Sequence, residues 1–456
     1  MKKTLLLTSL VASMVAMAGT TGSVKSYAES EAKFETKKSV SDDQKEVKTN
    51  TTKSYKVGKI GVETEVKVKG SGLSFGGTFE AKDLELGGVK KVNYLNHSSV
   101  WAKYELPELK GVNSYVKATV SPKFANEEKG KEDEYKFDGS AELEGKVSYK
   151  YDVLTFGLNS KTNFPFVKST TNTDNYGKEV KSTHKLFVES EEKKDVFVKG
   201  LKDVKANLEI KHNYAKKVTK AGDRVDYVKG NVELAYDSIK DLKIDGKADF
   251  TVNVNGANEY KDFTFGDYKL EDFVIGDIIF GIPVDFVHSY NAKLTYTGVK
   301  NLKLSVAPFV NHMRVSPYDE VVYGTSLKAE YKMLNDKLTL TGKSLLSGYS
   351  AFSNNENSYN NGIILFNANV KYDYNVSDKF TVSPEADAKL DTYITSDGTE
   401  FHLVLTPKVA IEYKPTDSLT LKGSVAAPIK FYEYNGPFSY QEAQLKTSLN
   451  LKYEWK

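Results

Sequence analysis

The chain has 456 residues and a net charge of +3, with 64 Lys and Arg set against 61 Asp and Glu. It has no cysteine, which excludes a disulfide scaffold, a lipoprotein anchor and thiolate chemistry. The charges alternate in sign instead of clustering, which excludes a nucleic-acid patch. Tyr (29) and Phe (23) are abundant, and the length admits two or three soluble domains or one large barrel. A mean hydropathy of −0.46 is compatible with a barrel, because a barrel strand hides only every second residue in lipid.

Met1-Lys2-Lys3 followed by the apolar run Leu5 to Ala18 reads as a secretory signal. The run is shorter than the ~20 residues a spanning helix needs. Small-x-small sites stand at Ala16-Met17-Ala18 and Ser26-Tyr27-Ala28, so the signal is expected to cover 1–28, with cleavage after Ala18 as the alternative. Residues 29–54 are Lys, Glu, Ser and Thr with few large apolar side chains, a composition expected to give a flexible periplasmic segment.

From Ile60 onward the pattern has period two, which predicts β-strands over 55–456. A short turn recurs, rich in Asp, Asn and Gly, whose side chains or lack of them suit left-handed backbone. Its members are Gly88-Val92, Leu109-Val112, Tyr151-Leu154, Gly200-Val204, Ser238-Leu242, Gly298-Leu302, Leu334-Leu338, Val376-Phe380 and Pro415-Leu419. Between them lie longer polar segments: Pro122 to Glu134, Asn163 to Glu179, Ala215 to Asp223, Gly256 to Pro283, Asn311 to Glu320 and Ser353 to Asn361. Short turns alternating with long loops predict an all-β, transmembrane, antiparallel up-and-down barrel of about 20 strands, with 18 or 16 as alternatives. Tyr236, Tyr296, Tyr331, Tyr374 and Tyr413 precede short turns, where an interfacial aromatic belongs.

Strand by strand, the charges share one face. Val204, Ala206, Leu208 and Ile210 oppose Lys205, Glu209 and Lys211, and Ile244, Ala248 and Phe250 oppose Lys243, Asp245, Lys247 and Asp249. Val409 and Ile411 oppose Lys408 and Glu412, while Leu421 and Ile429 oppose Lys422 and Lys430. A Lys or Arg facing lipid at the midplane costs about 2–4 kcal/mol, so these rows are expected to line a water-filled lumen.

The segment Gly256 to Pro283 combines aromatics with Asp262, Asp267, Glu271, Asp272 and Asp277. It reads either as a constriction loop folded into the pore or as an external flap. No metal, cofactor or catalytic motif is found, and the six His are scattered, with His212 and His288 on the lipid-side phase.

From Gln444 to Lys456 the alternation is strict, with Leu445, Leu449, Leu451, Tyr453 and Trp455 on one face. Tyr453 and Trp455 are expected at the membrane interface. The run Leu449, Leu451, Tyr453, Trp455 resembles the C-terminal assembly signal of bacterial outer-membrane β-barrels, here with the aromatic penultimate before Lys456. The resemblance to porin-like members of that group implies a non-enzymatic channel for passive diffusion of small hydrophilic solutes. It also implies outer-membrane lipid and lipopolysaccharide as surroundings, recognition by the barrel-assembly machinery, and a homotrimer. Two other readings stay open: a barrel acting as adhesin or receptor through its loops, and a secreted soluble β-repeat binding protein.

Overall fold

Alternating side chains fix extended backbone, and short Asp- and Asn-bearing turns fold it back on itself. The computed structural model describes residues 19–40, 47–85, 98–122, 124–126, 135–167, 180–214, 225–254, 264–269, 285–315, 318–353, 356–434 and 439–455. The sheet opens with β1 (Thr20–Val40), β2 (Val47–Val68) and β3 (Leu73–Glu85). β4 (Ser99–Glu105) and β5 (Val112–Ser121) follow, and β6 (Phe124–Asn126) is a short extension paired with β7 (Tyr135–Tyr151). Next come β8 (Leu154–Val167), β9 (Lys181–Ser190), β10 (Leu201–Asn213), β11 (Val225–Ile239) and β12 (Leu242–Asn253). β13 (Thr264–Phe265) and β14 (Tyr268–Lys269) form a hairpin outside the main sheet.

The wall resumes with β15 (Phe286–Val299), β16 (Leu302–Val315), β17 (Tyr318–Met333), β18 (Leu338–Ser353) and β19 (Glu356–Tyr372). β20 (Tyr374–Ser377) is a stub before β21 (Phe380–Thr395), and β22 (Gly398–Thr416) follows. β23 (Leu419–Ala426) and β24 (Ile429–Tyr434) are one wall strand interrupted at Pro428, which cannot donate to the ladder. β25 (Ser439–Trp455) pairs with β1 from Gly22↔Trp455 to Glu35↔Glu442 and closes the cylinder. The result is a closed antiparallel barrel of 20 strands. Closure leaves no open edge, which is what hydrocarbon surroundings demand.

Alternate residues face opposite sides throughout. On β16, Leu304, Val306 and Val310 are exposed while Ser305, Ala307, Phe309 and Asn311 are buried. The same alternation puts Val147, Leu158, Leu186, Val232, Leu327, Phe366, Val409 and Leu449 on the outer surface. A continuous belt of exposed apolar side chains suits hydrocarbon contact and is wrong for water. Tyr296, Tyr331, Tyr374, Tyr413 and Tyr453 stand exposed near the short-turn end, and Tyr236 is half-buried there. Tyr372 stacks on Tyr374 at 6.5 Å, and Phe380 meets Tyr413 edge-on at 6.1 Å. The main chain of Trp455 lies in β25, beside Gly22.

The short turns carry the expected backbone. Asp152 (φ 52°), Asp203 (51°), Asp241 (60°), Asn301 (64°) and Asn335 (56°) are left-handed, a region where L-residues other than Asn and Asp are strained. Outside the spanning segments, hydrogen bonds from Lys150 and then Lys194 hold the Glu191 carboxyl below its usual range. In the turn before β21, burial pushes the Asp373 carboxyl up. That push is outweighed by hydrogen bonds from Ser383 and Lys371, so its pKa is lowered.

Three expectations are corrected. The wall begins at Thr20 instead of residue 55, and the described residues of 29–54 are strand in β1 and β2, not a flexible lead-in. A segment too polar to build its own core can still be a strand when both edges are paired, because neighbours satisfy its backbone. Tyr27 shows the consequence: its hydroxyl donates to Glu80 at 2.6 Å and its ring lies over Gly61, where a Cβ would meet it at 2.4 Å. A leader ending at residue 28 would remove this side chain and the start of β1. Second, a short turn not read from the sequence joins β2 to β3 after Val68, and the one expected at Gly88-Val92 lies outside the described residues. Third, β16 to β17 and β18 to β19 follow each other almost directly, so Asn311 to Glu320 and Ser353 to Asn361 are not long loops.

Candidate lumen and constriction site

The inward face follows from the buried half of each strand. Lys243 pairs with Asp245 (2.8 Å) and Asp203 (3.7 Å), and Lys247 pairs with Asp249 (3.1 Å) on β12. Lys408 reaches Glu385 on β21 at 2.9 Å, and Lys422 reaches Glu412 on β22 at 2.7 Å. Lys430 stands 3.5 Å from Glu442 on β25. On β10, Glu209 accepts a hydrogen bond from Tyr227 at 2.7 Å, and the Lys211 ammonium lies over the same ring at 5.2 Å. Lys205 stands on that face opposite Glu233 and Glu189. The eleven sequence-derived wall positions fall on the strand phase opposite the exposed apolar residues. Amides interleave with the charges: Asn369 donates to Glu385 at 2.8 Å, Asn367 to Asp387 at 2.9 Å and Asn159 to Glu144 at 2.8 Å. Charges of both signs in one network stay ionised only where water or partners solvate them.

The hairpin β13–β14 lies against this inward face. Phe265 and Tyr268 are buried with Val287, Phe309, Met313, Val322, Leu345 and Tyr349, which project inward from β15 to β18. Phe265 meets Phe309 edge-on at 5.7 Å, and the Lys343 ammonium lies over the Tyr268 ring at 5.7 Å. The turn itself is fastened by polar contacts from three wall strands. Asn291 donates to the Gly266 carbonyl at 3.0 Å, the Asp267 amide donates to Ser326 Oγ at 2.8 Å, and Ser305 donates to the Asp267 carboxylate at 3.1 Å. Lys293 pairs with the same carboxylate. Gly266 has φ +63°, and a Cβ there would meet Ser326 Oγ at 2.3 Å, so only glycine lets the turn lie this close. Of the constriction residues expected from sequence, Asp267 is thus a fastening group on the wall. Asp262, Glu271, Asp272 and Asp277 lie outside the described residues.

Sequence reasoning identified the loop by its mix of aromatics and acids but missed its receptors. Ser305, Ser326, Asn291 and Lys293 carry no local signal, because their role exists only once three strands stand side by side. His402 faces inward, tilted against Tyr432 at 4.8 Å. His184 and His212 (5.7 Å apart) and His288 and His312 (6.3 Å) pair on the outer face near the end opposite the short turns. Among the described residues no group of three or more His, Cys, Asp or Glu is placed to hold a metal. A depression of about 1010 Å³ on the outer face, lined by Leu158, Leu186, Leu208, Val232 and Phe250, suits apolar chains rather than polar solutes.

No family model matches the sequence, and no curated protein matches it. Among solved structures, the chain is similar to a point variant of the ferric enterobactin receptor PfeA from Pseudomonas aeruginosa. That likeness has 10% identity and a TM-score of 0.51, covering 96% of this chain and 81% of the receptor. OccAB2 from Acinetobacter baumannii matches at 8% identity with a TM-score of 0.44, over 96% of this chain and 99% of that one. The first likeness shows the fold, a closed β-barrel; the second is too weak to add to it.

Proposed function

We propose that this chain is an outer-membrane channel through which small hydrophilic solutes diffuse along a water-filled, charged lumen narrowed by the β13–β14 hairpin. The observation that carries the reading is the segregation of the wall: exposed apolar side chains outside, interleaved Lys, Asp, Glu and Asn inside. An interior charged on this scale is affordable only if wet, and a 20-stranded cylinder is wide enough to hold water. Short turns and both described chain ends lie at one end of the barrel, which on this reading is the periplasmic end. Lipopolysaccharide and phospholipid surround the apolar belt, the assembly machinery engages β25, and the barrel assembles as a homotrimer. A signal cut after Ala18 fits this arrangement, because β1 starts at Thr20.

The test is reconstitution of the refolded, leaderless protein into planar bilayers, with reversal potentials read in asymmetric salt. Discrete conductance steps with a finite reversal potential support the channel, and the sign gives its ion preference. Folded protein that produces no steps rules the channel out.

A further inference from the structure

Resting on the channel reading, we infer that the lumen wall over β9 to β12 holds a binding subsite for a small, net-neutral zwitterion of the α-amino-acid class. The cross-strand register builds a ladder whose sign alternates at every strand. One row runs Lys185↔Glu209↔Lys229, and a parallel row runs Glu189↔Lys205↔Glu233↔Lys247. Between them runs a row of two amides and a carboxylate, Asn207↔Asn231↔Asp249. Directly opposed side chains stand about 5 Å apart at Cβ, and rows two residues apart are separated by about 7 Å.

The ladder encloses a recess of about 300 Å³, lined from both charged rows and from the amides between them. If the alternation served only to zip strands together, opposed charges would close ion pairs across the ladder. Lys247 instead pairs along its own strand with Asp249 at 3.1 Å, and among the described residues Lys185 and Lys205 close no ion pair. Asn231 receives a hydrogen bond from Asn207 and donates to Glu233 at 3.0 Å, which holds that carboxylate in place. Ammonium and carboxylate groups of opposite sign thus stand at neighbouring positions around open space. An α-amino acid carries the complementary pair, one carbon apart. A solute with a single net charge would meet an opposing neighbour at every step of the ladder. The recess also stands beside the fastened hairpin, since Lys247 is opposite Asn291, which donates to the Gly266 carbonyl. Solute is therefore held where the lumen narrows.

The test is single-channel current in planar bilayers with three probes that share one side chain: L-glutamine, N-acetyl-L-glutamine and L-glutaminamide. L-glutamine is expected to reduce the current at a half-effect concentration at least tenfold below those of the singly charged derivatives. The double variant Glu209→Gln/Glu233→Gln is expected to raise that concentration at least fivefold for L-glutamine, with barrel formation followed by heat-shifted gel migration. Equal sensitivity to all three probes, or no response in a channel that conducts, overturns the subsite and leaves the channel standing. Absence of any conductance would instead remove the channel reading. If the double variant does not fold, the three-probe comparison on the unaltered chain decides the matter.

Discussion

What a side chain costs here depends on which face of its strand it occupies, and neighbouring residues give opposite answers. Leu345 is fully buried beneath the hairpin, whereas Leu346, one position on, is 49% exposed on the outer belt. Leu346→Arg, near the middle of β18, is expected to destabilise the barrel by about 2–4 kcal/mol, because it carries a charge into hydrocarbon. Leu345→Ala is expected to cost about 2–5 kcal/mol for a different reason, the cavity left under Phe265 and Tyr268. Reversible unfolding in lipid vesicles measures both, and a neutral Leu346→Arg would mean that no lipid meets that face. At this scale the sequence was highly legible. Alternation alone assigned Lys243, Lys408 and Lys422 to one face, and Asp or Asn marked the left-handed turn positions. Tyr27 was not legible, because it stands in β1, which the composition hid, although its partners Gly61 and Glu80 fall where strands were expected.

At the scale of elements, the hairpin β13–β14 is the part most exposed to a single substitution. Gly266→Ala would force a Cβ into Ser326 and the Ala307 carbonyl, and would strain a left-handed backbone. The turn is expected to leave the wall and the single-channel conductance to rise, while heat-modifiable gel migration persists. Unchanged conductance would show that the hairpin does not narrow the path. Composition flagged this loop but left pore and flap undecided, since the choice depends on Ser305, Ser326 and Lys293, donors far away in sequence. β1 and the first part of β2, up to residue 54, were missed for a related reason. The outward positions Val24, Ser26 and Ala28 of β1 are small, and β1 is held by its pairing with β25 and β2.

For the whole molecule, closure between β1 and β25 is the feature from which the interior follows. The strand number was legible although the short turn after Val68 was not read from the sequence and Gly88-Val92 lies outside the described residues. Closure also constrains processing. The mature chain is expected to begin at Gly19, read by N-terminal sequencing of protein from the membrane. A start at Glu29 would strip Gly22 to Ala28 from the seam with Tyr453, Leu451 and Leu449. The absence of cysteine makes the decisive measurement clean. Single Cys substitutions at successive positions from Lys243 to Phe250 are placed in lipid-reconstituted protein. Each is probed with a charged, membrane-impermeant thiol reagent and, as a fluorophore conjugate, with a lipid-dissolved quencher. Lys243→Cys, Asp245→Cys, Lys247→Cys and Asp249→Cys are expected to react from water and escape quenching, with Ile244→Cys, Ala248→Cys and Phe250→Cys showing the reverse. Uniform reactivity along the strand, or quenching at Lys243 and Lys247, would contradict a sealed cylinder with hydrocarbon outside and water within.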